Sequence, residues 1–582
     1  VDAHTTVLDR PATPAPAEQG SRRGAGRWRG LPLTLATGIC AAGPVIAATA
    51  RAVAGGWRPA GDQANIATNA YDVLTSHMPL LGLHSDVSAV TGHDVYSLGP
   101  MLFWFLALPA RIGAPAAMTL AIGVLNTACI AGSVLLARRR GGLPLMFLAA
   151  VSLVLMERSL APEVLHDIWN PSAGLFPFTL LIFLCWGLAC GELRLAPLAL
   201  LVASFVLQCQ LAFAPPCVAL LAVGFLGLVV ARRRQRRAPA PGRPRLWPWV
   251  AASAAVLAIC WATPVVQQFQ GSPGNLTRVE ETATASPPKM GAAVGWHAVV
   301  RAVGVRPWWL RNPASPWERK YEVRRASSSS ATVSAVLILA GLLAVGAVGL
   351  MRGRQELWSG AALGLVLCAA LAAVAASTPT KRVLAETLGY TMWWGSPAGM
   401  FVWIALLWGP LDALVRLAGR SGPVRVLAAA GGVAATAAAA AAVAAAQRPD
   451  YHRVEYHPIR QIAQALDRAV PSHRTVLLTG ALGADTFRMK MAARYALLRH
   501  GVHPLSPGKD VRLGSWYDLD HRSFDCSVQV NDGARRPHPG AVAVAHVELG
   551  SAAEPHPVTV WVFPAGCPAA RGPAQRRSRT SS

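Results

Sequence analysis

The feature that most constrains this chain is a succession of apolar stretches with at most one charge each, several with none, each of roughly 15–23 residues, the length of helix that crosses a hydrocarbon core about 30 Å thick. They fall at about 31–51, 98–112, 115–137, 143–157, 172–190, 195–214, 216–231, 247–266, 331–351, 357–377, 394–415 and 424–446. In lipid every backbone polar group must be satisfied within the segment, so such stretches are expected to be helices. Composition agrees, with 53% hydrophobic and 14% charged residues and a mean hydropathy of +0.37. A collagen, a disordered chain and a cytosolic enzyme are excluded. The predicted fold class is an all-α polytopic transmembrane bundle of about 11–13 spans with a small α/β C-terminal domain.

The net charge of +25 arises from 54 Lys and Arg against 29 Asp and Glu. These bases fall in short runs beside apolar segments, such as Arg138-Arg139-Arg140 and the linker that starts at Arg232-Arg233-Arg234. That pattern marks cytoplasmic loops, and a nucleic-acid partner is not expected. Residues 1–30 are polar, Pro-rich and basic, and are expected to be a disordered cytoplasmic tail and not a cleavable signal peptide. Residues 31–446 would form the membrane domain of a plasma-membrane protein, and 447–582 an extracytoplasmic domain with a disordered tail. Positive-inside counting puts Arg22, Arg23, Arg27 and Arg29 on the same side as 138–140, 232–245, 352–354 and 416–425, so one segment must fail to cross. The choice falls on 98–112, which is short and interrupted by Pro109 and Arg111. If it did cross, Arg138–Arg140 would lie outside and every later segment would change sides. On the favoured layout the loops 53–97, 158–171 and 267–330 share the outer face with the C-terminal domain.

In that domain Ile459–Leu466 has helical apolar spacing, Asp485–Arg499 reads as a second helix, and Thr475–Leu478, Ala541–Val547 and Val558–Phe563 read as strands. Cys526 and Cys567 are free to pair if the face is oxidising, whereas the other cysteines lie in or beside apolar spans. Gly480-Ala481-Leu482-Gly483 reads as a turn and lacks the spacing of a nucleotide-binding loop.

The first loop concentrates polar residues: Asp62, Asp72, His77, His84, Asp86, His93 and Asp94. Ile66, Ala70, Val73 and Leu74 share one helical face, which predicts an amphipathic helix over about 63–77 along the bilayer surface. Asp62 at its start is either a helix cap or a general base facing an acceptor hydroxyl. A second acidic spot is Glu163-Val164-Leu165-His166-Asp167-Ile168-Trp169-Asn170-Pro171, which is either a wall of the same cleft or a solvated helix start. Too few ligands are fixed by spacing to expect a metal, and no cofactor is expected.

The outer-loop Asp62, the amphipathic helix and then Tyr96-Ser97-Leu98-Gly99-Pro100-Met101-Leu102-Phe103-Trp104-Phe105 together resemble the GT-C integral-membrane glycosyltransferases, among them the protein O-mannosyltransferases, the aminoarabinose transferase and many actinobacterial multi-span proteins. The resemblance covers roughly residues 31–230. It implies transfer of a sugar from a polyprenyl-phosphate donor to a hydroxyl of an extracytoplasmic glycan, lipid or protein. Asp62 would be the base, Asp167 and His166 would orient the reactants, and Glu163, Asn170 and Tyr96 would contact substrate. Where many members carry an acidic pair, this chain has Asp62 followed by Gln63.

The departing phosphate would need cationic partners. Candidates are Arg306 and Arg311 within the basic run Arg301–Arg325, which is interleaved with Trp296, Trp308, Trp309 and Trp317, and the pair Lys381-Arg382. Each could equally be an interfacial anchor. Trp394, beside Tyr390 and Trp393, is either a sugar platform or part of an aromatic belt. Two rival functions stand beside this one. A non-catalytic relative would bind cell-envelope partners, with Gln63 its best support. A transporter would need buried mid-span charges or paired broken helices, of which the sequence has few.

Overall fold

The computed structural model describes residues 30–236, 246–311, 321–417, 422–480, 483–533, 537–551, 554–564 and 567. The N-terminal tail, most of the Pro-rich linker, Trp317, Arg319, Lys320 and the turn residues Ala481 and Leu482 lie outside them. Every apolar stretch named above is helical. Among the described residues eight helices are long and apolar enough to cross a membrane, and a ninth span is the bent pair Leu31–Ala41 and Gly43–Ala54. The helix Ala116–Arg158 breaks at Gly141 and Gly142, whose backbone is non-helical, and so supplies two legs. Adding the short apolar helix Leu193–Cys209 gives eleven legs through the bundle.

The remaining apolar helix, Met101–Arg111, does not cross. Its 11 residues span only about 16 Å, and both its ends are tied to the same end of the bundle. Gln208 Oε1 accepts from Met101 N at 3.2 Å, while Arg111 Nη2 donates to Tyr71 O at 2.6 Å and Tyr495 Oη to Ala110 O at 2.8 Å. The bundle's two ends differ sharply. Arg138 donates to Gly30 O at 2.5 Å, Arg140 pairs with Glu192, Arg354 with Asp412 at 3.0 Å, and Gln355 Nε2 reaches Ala189 O and Gly227 O. Gly30, at the start of the first leg, and the described arginines Arg138, Arg140 and Arg354 therefore mark one end. At the other end the first loop, the loop around Asp167, the segment from Asn275 and the C-terminal domain are joined by Asn275–Tyr96, Arg278–Asp94 and His166–Asp450 hydrogen bonds.

Burial follows apolar pattern. Leu175–Ala189 is apolar on every face and buried on every face, so it is the central helix. The Ala-rich helix Gly422–Ala446 lies at the periphery, with Thr436, Ala440 and Val443 as its buried stripe. Its small side chains let it approach closely: Gly43 stands against Ala440, and Gly432 against Phe147.

The C-terminal domain has its own core. Its strands are β1 Thr475–Gly480, β2 His503–Leu505, β3 Cys526–Asp532, β4 Val542–Ser551 and β5 Glu554–Phe563, in the order β2-β1-β3-β5-β4. β1 is parallel to β2 and β3, while β5 is antiparallel to β3 and β4. Cys526, Val528 and Val530 alternate inward on β3, with Leu478 and Val562 beside Val528 in register. Helix Arg453–Ala469 contributes Tyr456, Ile459, Ile462, Ala465 and Leu466 as its buried face. Cys526 and Cys567 form a disulfide, with Cα atoms 5.3 Å apart. Neither β2 nor β3 was predicted from the sequence: β2 is only three residues, His-Pro-Leu, and the alternation of β3 rests on three small apolar side chains between polar runs.

Candidate functional site

Asp62 opens the helix Asp62–Asp72. It is not the cap: Gly61 holds that place, with φ 53° and ψ −125° and no side-chain cap bond. Positive φ with this ψ is a conformation glycine tolerates and other residues resist. The helix is shorter than predicted and is not a surface element. Ala64 to Ala70 and Asp72 are all buried, because helix Met101–Arg111 lies on one side and helix Ala484–Arg499 of the C-terminal domain on the other. Gly61 N donates to Arg488 O at 3.3 Å. Asn69 Nδ2 donates to Arg512 O at 3.3 Å, and Tyr517 Oη to Asp72 Oδ2 at 2.6 Å. His77 stacks on Trp516, with ring centroids 4.3 Å apart.

This seating brings Arg512 to Asp62. Its Nη1 lies 3.2 Å from Asp62 Oδ1, and its guanidinium lies over the Phe487 ring at 4.6 Å. Asp510 shapes the loop that carries it. Its Oδ2 accepts from Arg494 and Ser506, each at 2.7 Å, and its Oδ1 from Arg512 N at 3.1 Å. Burial opposes ionisation of Asp510, but Arg494 and these hydrogen bonds outweigh it and hold the carboxyl below its ordinary range.

Asp62 and Arg512 line a cavity of about 450 Å³ with His84, Asp86, Trp169, Asn170 and Tyr390 among polar and aromatic groups, and Leu83, Leu98, Leu211, Val279 and Leu384 among apolar ones. Tyr390 Oη donates to Asp86 Oδ2 at 3.2 Å, and Trp169 packs on Tyr390 at 4.8 Å. Burial lowers the His84 pKa, so its neutral form is favoured despite Asp94 3.5 Å away.

The expected substrate residues divide. Asn170 lines the cavity while its Nδ2 donates to Cys209 O at 2.9 Å. Asp167 is buried just behind it: Gln63 Nε2 donates to Asp167 Oδ2 at 3.0 Å, and Gln63 Oε1 accepts from Ala60 N at 3.2 Å. Burial pushes the Asp167 pKa up. An amide fits here, since a glutamate in place of Gln63 would set two carboxylates against each other. His166 is fully buried between Thr119 Oγ1, at 2.8 Å from Nδ1, and Asp450 Oδ1, at 3.2 Å from Nε2, and does not reach the cavity. Glu163 accepts from Tyr451 N; burial, reinforced by Asp450, pushes its pKa up to about 7. The Tyr96 backbone is held by Asn275 on both its N–H and its C=O.

The basic and aromatic candidates stand elsewhere. Arg306 is exposed. Arg311 donates to Arg306 O at 2.5 Å and pairs with Glu322 at 3.4 Å, and Trp308 donates to the same glutamate. Lys381 donates to Ala89 O at 2.5 Å, and Arg382 pairs with Glu386. Trp394 is 1% exposed and packs on Phe178 at 5.8 Å, in the bundle core. None of these five lines the cavity. Arg512, which does, was missed in the sequence because its neighbours read as an ordinary loop. Among the described residues no group of three or more His, Cys, Asp or Glu is arranged to hold a metal.

No family profile and no curated protein sequence matches the chain. Among solved structures, the crystal structure of the Archaeoglobus fulgidus oligosaccharyltransferase in its apo form aligns with 82% of this chain at 12% identity and a TM-score of 0.34, and the chain spans 65% of that protein's length.

Proposed function

We propose that this protein is a membrane glycosyltransferase that moves a sugar from a polyprenyl-phosphate donor to a hydroxyl on an extracytoplasmic acceptor at the plasma membrane. The observation that carries the reading is the pairing of a carboxylate, Asp62, with a guanidinium, Arg512, in one cavity at the polar end of an apolar bundle. Those are the two charges a displacement at a glycosyl phosphate needs. The acceptor oxygen forms a bond to the anomeric carbon as its proton passes to Asp62. The bond from that carbon to the phosphate oxygen breaks, and the electron pair leaves with the polyprenyl phosphate, whose growing charge Arg512 counters. A single displacement inverts the anomeric centre. Trp169 and Tyr390 offer aromatic faces to the sugar, and the apolar lining suits the first isoprene units. Asp167 acts behind the wall, through Gln63, as a positioning residue.

The test is Asp62→Asn in membranes supplied with polyprenyl-phosphate sugars: sugar transfer should be abolished with protein abundance unchanged. Full transfer by that variant would dismiss Asp62 as the base.

A further inference from the structure

A second cavity, of about 280 Å³, lies on the seam between the membrane domain and the C-terminal domain, lined by Arg58 and Pro59 of the first loop, by Gly113 and Pro115, and by the helices Arg453–Ala469 and Ala484–Arg499, and it shares neither Asp62 nor Arg512 with the first cavity. Its charged lining is Arg58, Arg460, Arg499 and His500 against a single carboxylate, Asp467. The acid is engaged with His500, at 3.5 Å. Arg499 spends one nitrogen on Gly113 O at 2.6 Å, and Arg58 Nε is buried with no hydrogen-bond partner. The guanidiniums repel: burial first, then the charges of Arg460 and Arg499, hold Arg58 below the usual arginine range. Three neighbouring guanidiniums without carboxylate partners among the described residues are stable when an anion joins them, and a planar fork of N–H donors matches phosphate oxygens best.

Position identifies the source of that phosphate. Arg58 follows the outer end of the leg Gly43–Ala54, and Gly113 and Pro115 precede the leg that starts at Ala116. The non-crossing helix beside them leaves Leu108 66% and Ile112 51% exposed. Large apolar side chains at that level face acyl chains. We propose that this seam holds the phosphate of an anionic membrane phospholipid, with Arg58, Arg460 and Arg499 on the headgroup and the acyl chains against Leu108 and Ile112. The lipid would bridge the two domains and is separate from any sugar donor, so the site stands whether or not the protein transfers sugar.

Native mass spectrometry of the detergent-purified full chain, titrated with dioleoyl-phosphatidylglycerol, tests this. The wild type should retain phosphatidylglycerol in preference to phosphatidylcholine. Arg58→Gln and Arg460→Gln should each weaken retention about tenfold, the factor that corresponds to about 1.4 kcal/mol for a lost charge-assisted contact. Asp467→Asn, which removes the only acid, should strengthen it; this variant guards against a trivial loss through misfolding. Equal retention of the two lipids, or retention unchanged in all three variants, would overturn the site. Displacement of the lipid by an equal concentration of inorganic phosphate would overturn the lipid as its source.

Discussion

Asp62 and Arg512 are 450 residues apart in the chain and 3.2 Å apart in space. On the proposed function their pairing has a consequence for donor binding: a donor phosphate would compete with Asp62 for the guanidinium and, by taking it, would leave the carboxylate free to accept a proton. Arg512→Ala should therefore lower kcat/KM by about 10²-fold or more, the scale of a lost transition-state donor, and raise the KM for donor. Arg512→Lys should recover part of the loss, since it restores the charge without the fork. Steady-state kinetics with varied donor separates the two effects. Glu163 makes a different statement. Its ordinary pKa of 4.5 rises to about 7 in the fold, so stability is fully present below 4.5 and is lost as pH rises through 7, by an amount on the order of 3 kcal/mol if the whole shift is expressed. Hydrogen exchange across 448–456, corrected for intrinsic rates, should accelerate as pH rises from about 4.5 to about 7 and level off above it, and Glu163→Gln should remove the difference.

At the scale of elements, backbone breaks do as much as helices. Gly142 has φ 67° and ψ −152°, and a Cβ there would meet only Pro144 Cδ at 3.9 Å. Space permits a side chain and backbone conformation does not, so Gly142→Val should cost about 1–3 kcal/mol, seen as a lower Tm in detergent. The apolar stretches on either side were legible because lipid solvation demands runs of uncharged residues. Charge counting singled out 98–112 as the segment that fails to cross, and the helix there, Met101–Arg111, has 11 residues, fewer than a span needs. The fate of the helix Asp62–Asp72 was not legible: its apolar stripe is what a surface helix shows, but its polar side carries Asn65, Thr68, Asn69 and Asp72 into a second buried interface. Beside their local partners Asn65 O and His77, Asn69 and Asp72 are bonded by Arg512 and Tyr517, far along the chain.

For the whole molecule, the C-terminal domain is part of the site. Tyr517 Oη on Asp72, at 2.6 Å, is a polar attachment buried in the seam. Burial pushes the Asp72 pKa up while Tyr517 and His77 oppose that rise. Tyr517→Phe leaves the carboxylate short of a donor and should cost about 1–3 kcal/mol. It should also reduce sugar transfer, because the loop that delivers Arg512 loosens; thermal unfolding and transfer assays on one preparation read both. The chain's local chemistry determined the bundle, the non-crossing segment, most of the C-terminal elements and the carboxylate at the start of the first-loop helix, since each depends on neighbours within about one helix length. Tertiary structure alone decided which charges meet. Arg306, Arg311, Lys381, Arg382 and Trp394 have the residue types a glycosyl phosphate would need, yet folding leaves Arg306 exposed and assigns the others to carbonyls, glutamates and the core. Arg512 reaches the cavity instead because one domain docks on another, and side-chain encounters across hundreds of residues leave no periodicity in a sequence.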